Sequence, residues 1–225
     1  MLDLLMATQD DTGDHLNTSE IRDQVVTFIV AGHETAASAL TWAWALLAAH
    51  PSEQERLQRE SDEVLGGRPA TFADYAQLPV ARAVFDETLR LYPPAWLITR
   101  KAAEADVVAG HDIPAGALVI LSPWLLHRHP GAWSEPESFQ PARFLDGTAD
   151  RNAFIPFGAG PRMCIGRDFA YVEATLMLAS ISGRYALSFD IGQTMPVGDP
   201  LVTIRPEGGL TLRVTSRKSR RPNPW

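Results

Sequence analysis

Apolar positions run almost without interruption from Ile21 to His50, where Pro51 stops them. A segment apolar on nearly all sides predicts a central buried helix. Thr18, Ser19 and Glu20 form its start, with Ser19 as N-cap candidate and Asp23 near enough to favour the positive helix end. Its length approaches a membrane span, but Arg22, Asp23, Gly32, His33 and Glu34 break the run and exclude one. Upstream, Leu2 to Ala7 reads as a short amphipathic helix ending in a polar loop, Thr8 to Asn17. Downstream, Pro51 opens a helix with a charged outer face that Gly66-Gly67 ends. A short helical turn is expected between Thr71 and Gln77. Leu78-Pro79 then opens a helix to about Tyr92, stopped by Pro93-Pro94.

The pattern changes from Trp96 to Pro123. Leu97 to Thr99, Val107-Val108 and Ala117 to Leu121 read as strands, separated by turns at Gly110-His111 and Pro114 to Gly116. A short helix around Trp124 to Arg128 follows, then an irregular, proline-rich stretch from Pro130 to Arg151. Such long irregular segments are often functional. Helical periodicity returns over Gly166 to Ser182. Strands are expected over Tyr185 to Phe189, Leu201 to Ile204 and Leu210 to Val214, with a turn at Pro206 to Gly209. The fold class is mainly α with small β-sheets. Residues 1–225 read as a single domain, with 216–225 a frayed basic tail.

The chain has 225 residues, a net charge of −7 and one cysteine. The charge argues against nucleic-acid binding, and a single cysteine excludes an intrachain disulfide, so a cytoplasmic location is the simplest expectation. Met1 to Met6 is too short and too acidic for a signal peptide or an anchor. It reads as the tail of a helix, as if the chain starts inside a larger fold.

That one cysteine lies in Phe157-Gly-Ala-Gly-Pro-Arg162-Met-Cys164-Ile-Gly166, directly before a helical pattern. A lone cysteine is usually an inert buried hydrophobe. Its neighbours point elsewhere. Glycines allow backbone to approach a flat ligand, a helix start presents N–H groups to an anionic sulfur, Arg162 adds a cation, and Phe157 can shield the thiol from water. The spacing Phe-x-x-Gly-x-Arg-x-Cys-x-Gly resembles the haem-ligand loop of the cytochrome P450 monooxygenases. The resemblance implies haem b bound through a Cys164 thiolate to iron. It also makes Pro156, Phe157, Gly158, Arg162 and Gly166 cofactor-binding residues.

Three further motifs carry the same resemblance in the same order. Ala31-Gly32-His33-Glu34-Thr35 is similar to the family's oxygen-binding helix. Carried over, Thr35 supplies a hydroxyl to dioxygen, Glu34 relays protons, and Ala31 and Gly32 lie against the haem. By itself Gly32 could equally mark a close helix crossing or a solvated turn. Glu87-Thr88-Leu89-Arg90 resembles the family's Glu-x-x-Arg, completed by Arg143 in Pro141-Ala142-Arg143-Phe144. The family's usual acid is Ala142 here. Glu87, Arg90 and Arg143 would be structural; an i,i+3 pair alone is more often an exposed one, but apolar Val84, Phe85, Leu89 and Leu91 around this one point to burial. Arg100 would pair with a haem propionate, as Arg162 does. His127-Arg128-His129-Pro130 looks like the family's His-Arg-Asp-Pro and reads as structural, without the further ligands a metal site needs.

The resemblance spans nearly the whole chain but only the C-terminal half of the family fold. It implies a soluble, bacterial-type enzyme that inserts one atom of O₂ into a hydrophobic small molecule. Phe28, Ala31, Ala95, Trp96, Leu97, Leu201, Val202 and Thr203 would line the substrate pocket. Electrons would come from a ferredoxin- or flavodoxin/reductase-type donor, with no nucleic acid and no membrane segment involved. The alternative is a truncated, non-catalytic chain that binds haem poorly or needs a missing N-terminal half.

Overall fold

The computed structural model describes residues 2–9 and 13–217. Helix α1 spans Leu2–Ala7, α2 Thr18–Ala49, α3 Pro51–Leu65, α4 Pro79–Leu91, α5 Pro123–Leu126 and α6 Arg167–Ser182. The strands are β1 Ile98–Lys101, β2 Asp106–Val108, β3 His111–Ile113, β4 Leu118–Leu121, β5 Tyr185–Ser188, β6 Gly198–Pro200, β7 Ile204–Pro206 and β8 Arg213–Ser216. They pair as four separate antiparallel ribbons, β1 with β4, β2 with β3, β5 with β8 and β6 with β7. Short 3₁₀ turns at Pro141–Phe144 and Arg151–Ala153 punctuate the long irregular stretch.

The helix ends follow from local chemistry. Asn17, rather than Ser19, caps α2. Its side-chain oxygen accepts from the N–H groups of Ser19 at 2.9 Å and Glu20 at 3.1 Å, and Glu20 returns a bond to the Asn17 N–H at 2.8 Å. This reciprocal box satisfies N–H groups that have no partner inside the helix. Pro51 starts α3, and Gly66 ends it at φ 57, a left-handed conformation that glycine adopts without a Cβ clash. The first turn of α4 is capped from α3: the Glu60 carboxylate accepts from Val80 N–H at 2.6 Å and Ala81 N–H at 2.9 Å. Burial pushes that carboxyl up in spite of the two bonds.

The core lies where α2, α3, α4 and α6 meet, and it includes Leu47, Leu57, Val84 and Leu178. Trp42 stacks on Tyr92 at 3.7 Å, and its indole N–H donates to the β7 carbonyl of Ile204 at 2.9 Å. The long helix departs from expectation in one respect. Its buried residues run only from Ser38 to Leu47, whereas Ile29 and Val30 are each 62% exposed. The packing partners reach only the second half of α2, so apolar composition alone did not bury the first.

The strands depart further from the sequence pattern. β3 stands where only a turn was expected, because the backbone pairing of His111 with Val108 outweighs its polar composition. The stretch Leu201–Thr203 is the tip of the β6–β7 ribbon rather than part of a strand, and the last strand begins at Arg213. Of the expected tail, Ser216 pairs with Tyr185 and Arg217 pairs with Asp62 at 2.7 Å. Residues 218–225 lie outside the described residues.

Candidate functional site

Ala31, Thr35 and Ala39 lie along one face of α2, at the four-residue spacing that aligns side chains on a helix. They face Phe85 and Leu89 of α4, also one turn apart, across a cavity of about 300 Å³. The turn Pro94-Ala95, β1 through Ile98 and Arg100, and the Cys164 loop complete its wall. Most of this lining is apolar. The exceptions are the Thr35 hydroxyl, two guanidinium groups and the thiol.

The loop is held by its own backbone. Ile155 C=O accepts from Gly158 N–H at 3.0 Å, and Phe157 C=O accepts from Cys164 N–H at 2.9 Å. Gly158 turns the chain at φ 72, where a side chain would be strained. A Cβ on Gly166 would lie 3.8 Å from the Cys164 sulfur, an ordinary contact, so this glycine leaves clearance beside the thiol without being forced. Cys164 itself is exposed, so Phe157 does not seal it as expected; the Phe157 ring lies 5.3 Å from that of Tyr171.

Arg100 and Arg162 both line the cavity, and neither is paired with a carboxylate among the described residues. The Arg100 guanidinium donates to the Thr99 carbonyl at 2.9 Å. Two fixed cations on the rim of an apolar cavity suit a ligand that brings its own carboxylates.

Behind the loop lies a buried ion cluster. Arg90 donates to both Glu87 oxygens, at 2.7 and 2.8 Å, with both side chains fully buried. Its remaining N–H groups reach the carbonyls of His127 at 2.9 Å, Pro136 at 2.6 Å and Ser138 at 3.0 Å. Arg143 and the Gln140 N–H complete Glu87, at 3.1 and 2.8 Å. Nearly every hydrogen-bonding group of the cluster is matched, which is the condition for charges to be tolerated inside a fold. Glu87, Arg90 and Arg143 thus tie α4 to the segment that leads into the Cys164 loop.

The cytochrome P450 family profile matches residues 1–212 of this chain. The chain belongs to the cytochrome P450 family. Among its relatives are cyclooctatin synthase of Streptomyces melanosporofaciens, 44% identical over 94% of this chain and 45% of the relative. Another, cyclooctat-9-en-7-ol 5-monooxygenase of the same organism, is 43% identical over 85% of this chain and 42% of the relative. A crystal structure titled as the cytochrome P450DA heme domain superposes with a TM-score of 0.89 and 35% identity, over 97% of this chain and 49% of that one. The chain therefore spans a little under half the length of the relatives it matches. The P450 family implies haem, and the residues present fit that group: one accessible thiol, two arginines without carboxylate partners, and an apolar wall on the opposite side.

The structure gathers some expected residues at the cavity and leaves others out. Ala31, Thr35, Ala95, Arg100, Pro156, Phe157, Gly158, Arg162 and Cys164 line it. Gly32 does not; a Cβ there would meet nothing within 4 Å, so it marks no close helix crossing among the described residues. Glu34, one residue from Thr35, turns toward the β6–β7 ribbon. Its carboxylate accepts from the Thr203 hydroxyl at 2.9 Å, with the Arg205 guanidinium 4.0 Å away. Phe28, Trp96, Leu97, Leu201, Val202 and Thr203 are also absent from the cavity wall. Trp96 instead donates to the Leu201 carbonyl at 2.9 Å, Val202 is 86% exposed, and Thr203 is buried against Glu34. The wall residues the sequence reading missed are Ala36, Ala39, Phe85, Leu89, Pro94, Ile98 and Ala170. Helical spacing from Ala31 and Thr35 would have pointed to Ala39. Ala36 follows Thr35 on the same helix, and Phe85, Leu89, Pro94, Ile98 and Ala170 come from segments that only folding brings to α2.

Proposed function

We propose that this chain is the haem-binding part of a monooxygenase that transfers one oxygen atom from O₂ to a hydrophobic organic molecule. The observation that carries the reading is the coincidence, at one apolar cavity, of the chain's sole thiol, two arginines without carboxylate partners and a helix hydroxyl. Bound through the Cys164 thiolate, haem supplies reductive activation of O₂. The chain's own residues do the rest. Cys164 presents sulfur from a loop fixed by backbone hydrogen bonds. Arg100 and Arg162 orient the haem by taking its propionates. Ala31 and Ala39 keep the α2 face low enough for a flat ring. Thr35 carries the one hydroxyl that lines the cavity among the described residues and manages protons there, with Glu34, held by Thr203 in this structure, as the neighbouring acid.

Leu89, Pro94, Ala95 and Ile98 favour an apolar substrate, in keeping with the relative whose name specifies a cyclic, unsaturated alcohol. A cyclic hydrocarbon or its alcohol is the substrate class we assign. Electrons come from a ferredoxin- or flavodoxin-type donor, and the protein works in the cytoplasm; no helix among the described residues is long and apolar enough to cross a membrane. A second reading, haem binding without turnover, is favoured by the exposed apolar face of α2 at Val26, Ile29 and Val30.

The test is reconstitution with haem, reduction and addition of carbon monoxide, then assay with a donor and a cyclic alkene. The family's red-shifted Soret band with oxygenated product supports turnover. The band without product supports the second reading. The same band in Cys164→Ala, with no other cysteine available, would exclude both.

A further inference from the structure

We infer that His127 is a positioning residue for the Cys164 loop, its neutral imidazole serving as the acceptor for the Ile155 N–H. His127 is fully buried at the end of α5, and its Nε2 accepts from Ile155 N–H at 2.9 Å. Ile155 is thereby fixed on both sides, since its own carbonyl accepts from Gly158 N–H at 3.0 Å and begins the turn that leads to Cys164. The His127 ring leans on Phe154, with centroids 5.2 Å apart. The His127 backbone carbonyl is held by Arg90 at 2.9 Å. One residue thus joins the buried ion cluster to the first residue of the loop. The ring is gripped through its acceptor nitrogen and the backbone through its carbonyl.

An acceptor at Nε2 requires the proton on Nδ1. That nitrogen is buried beside the Leu89 and Arg90 carbonyls at the end of α4, without a hydrogen bond of standard geometry. Carbonyl oxygens there favour N–H over a lone pair, which selects the same tautomer. The charged groups facing the ring are Arg90 from α4 and Arg128 from its own segment; both oppose protonation, and burial opposes it more. Glu87, the nearby carboxylate, is already engaged by Arg90 and Arg143.

This role stands on protein geometry alone; only its consequence for a thiolate ligand rests on the proposed haem reading. It can therefore be tested without haem, because Cys164 is the sole thiol and reports on its own loop. Nitrogen-15 NMR of the imidazole should show a neutral ring protonated at Nδ1, with Nε2 accepting. In His127→Phe, which keeps a flat ring and removes the acceptor, Ile155 amide exchange and Cys164 alkylation by iodoacetamide should each quicken about tenfold. His127→Gln, which places an amide oxygen near the Nε2 position, should recover most of both. An Nε2-protonated ring, unchanged rates in the Phe variant, or a Gln variant as loose as the Phe variant would each overturn the inference. Should the Phe variant not fold, the tautomer and the Gln variant decide. If the loop probes respond as stated while haem and carbon monoxide give no thiolate band, the proposed function fails and the positioning role stands.

Discussion

Two pairs of arginines serve this fold in opposite ways. Arg90 and Arg143 are buried, and their guanidinium N–H groups go to Glu87 and to backbone carbonyls of the proline-rich segment. Arg100 and Arg162 are exposed on the cavity rim and are paired with no carboxylate among the described residues. The difference separates residues that hold the fold together from residues available to a ligand. Desolvating a guanidinium costs several kcal/mol, so a buried one must be fully matched by the protein. An arginine on a rim bears no such cost and can remain unmatched until a carboxylate arrives.

The largest effect expected from this contrast is Arg90→Ala. It leaves the buried Glu87 carboxylate with only Arg143 and the Gln140 N–H and frees the carbonyls of His127, Pro136 and Ser138, at a cost of about 3–5 kcal/mol. Urea unfolding followed by tryptophan fluorescence measures this, and haem uptake should fall with it. A loss below about 1 kcal/mol would mean that the cluster does not act as a unit.

Acid should attack the same buried side. Burial holds the His127 imidazole down at about 4, against 6.5 for a free one. Above pH 6.5 the ring is neutral in folded and unfolded chains alike and adds no pH dependence. As pH falls from 6.5 to about 4, only the unfolded chain takes up the proton, so stability declines. At about 1.4 kcal/mol per pH unit the window removes about 3 kcal/mol, and below it the decline from this group stops. The measurement is the urea midpoint from pH 7 to 4 in the wild type and in His127→Gln. Parallel curves would refute a depressed His127.

The rim should behave differently. Arg100→Ala and Arg162→Ala should each leave the urea midpoint within about 0.5 kcal/mol of wild type. Each should nevertheless weaken haem binding about tenfold, as expected for losing one charge-assisted hydrogen bond. Haem titration against both variants checks this. If either variant unfolds easily, the rim arginines belong with the buried pair and the contrast collapses.

The same contrast explains how much could be read from the sequence. Proline, glycine and 3.6-residue periodicity are local signals, so α3, α4 and α6 emerged close to their observed bounds. The Cys164 loop was legible because its constraints sit within ten residues. Glu87 and Arg90 were legible as a pair, and apolar Val84, Phe85, Leu89 and Leu91 around them pointed to burial, but the groups that close over them were not legible, since Pro136, Ser138 and Gln140 come from about fifty residues away. The exposure of Ile29 and Val30 was hidden for the converse reason: an apolar sequence does not say whether a partner arrives. The direction of Glu34 was also beyond reach. Successive helical residues point about 100° apart, and only the distant Thr203 shows which way Glu34 turns. The stretch around His127 read as structural, but what it holds was not legible, because its partner, Ile155, lies 28 positions along the chain.

Thr35 sharpens the contrast most finely, because it falls between the two kinds of residue. Its hydroxyl donates to the Ala31 carbonyl at 2.7 Å, a bond within its own helix, and yet it faces the cavity. If the hydroxyl matters only to the helix, Thr35→Ala should be almost silent. Alanine has the better helix propensity, and such back-bonds to the residue four before contribute little. If it also manages protons at the haem, the change should be silent in stability but not in chemistry. We expect the urea midpoint to move by less than about 0.5 kcal/mol and haem affinity to hold. Product formed per electron should fall several-fold, with the lost electrons recovered as peroxide, because among the described residues no other hydroxyl lines this wall to replace it. Thr35→Ser keeps the hydroxyl and should restore coupling. The assay is product and peroxide measured against reductant consumed, in the polypeptide that shows turnover with haem and a donor. Equal coupling in Thr35→Ala and wild type would place Thr35 with the residues that serve only the fold.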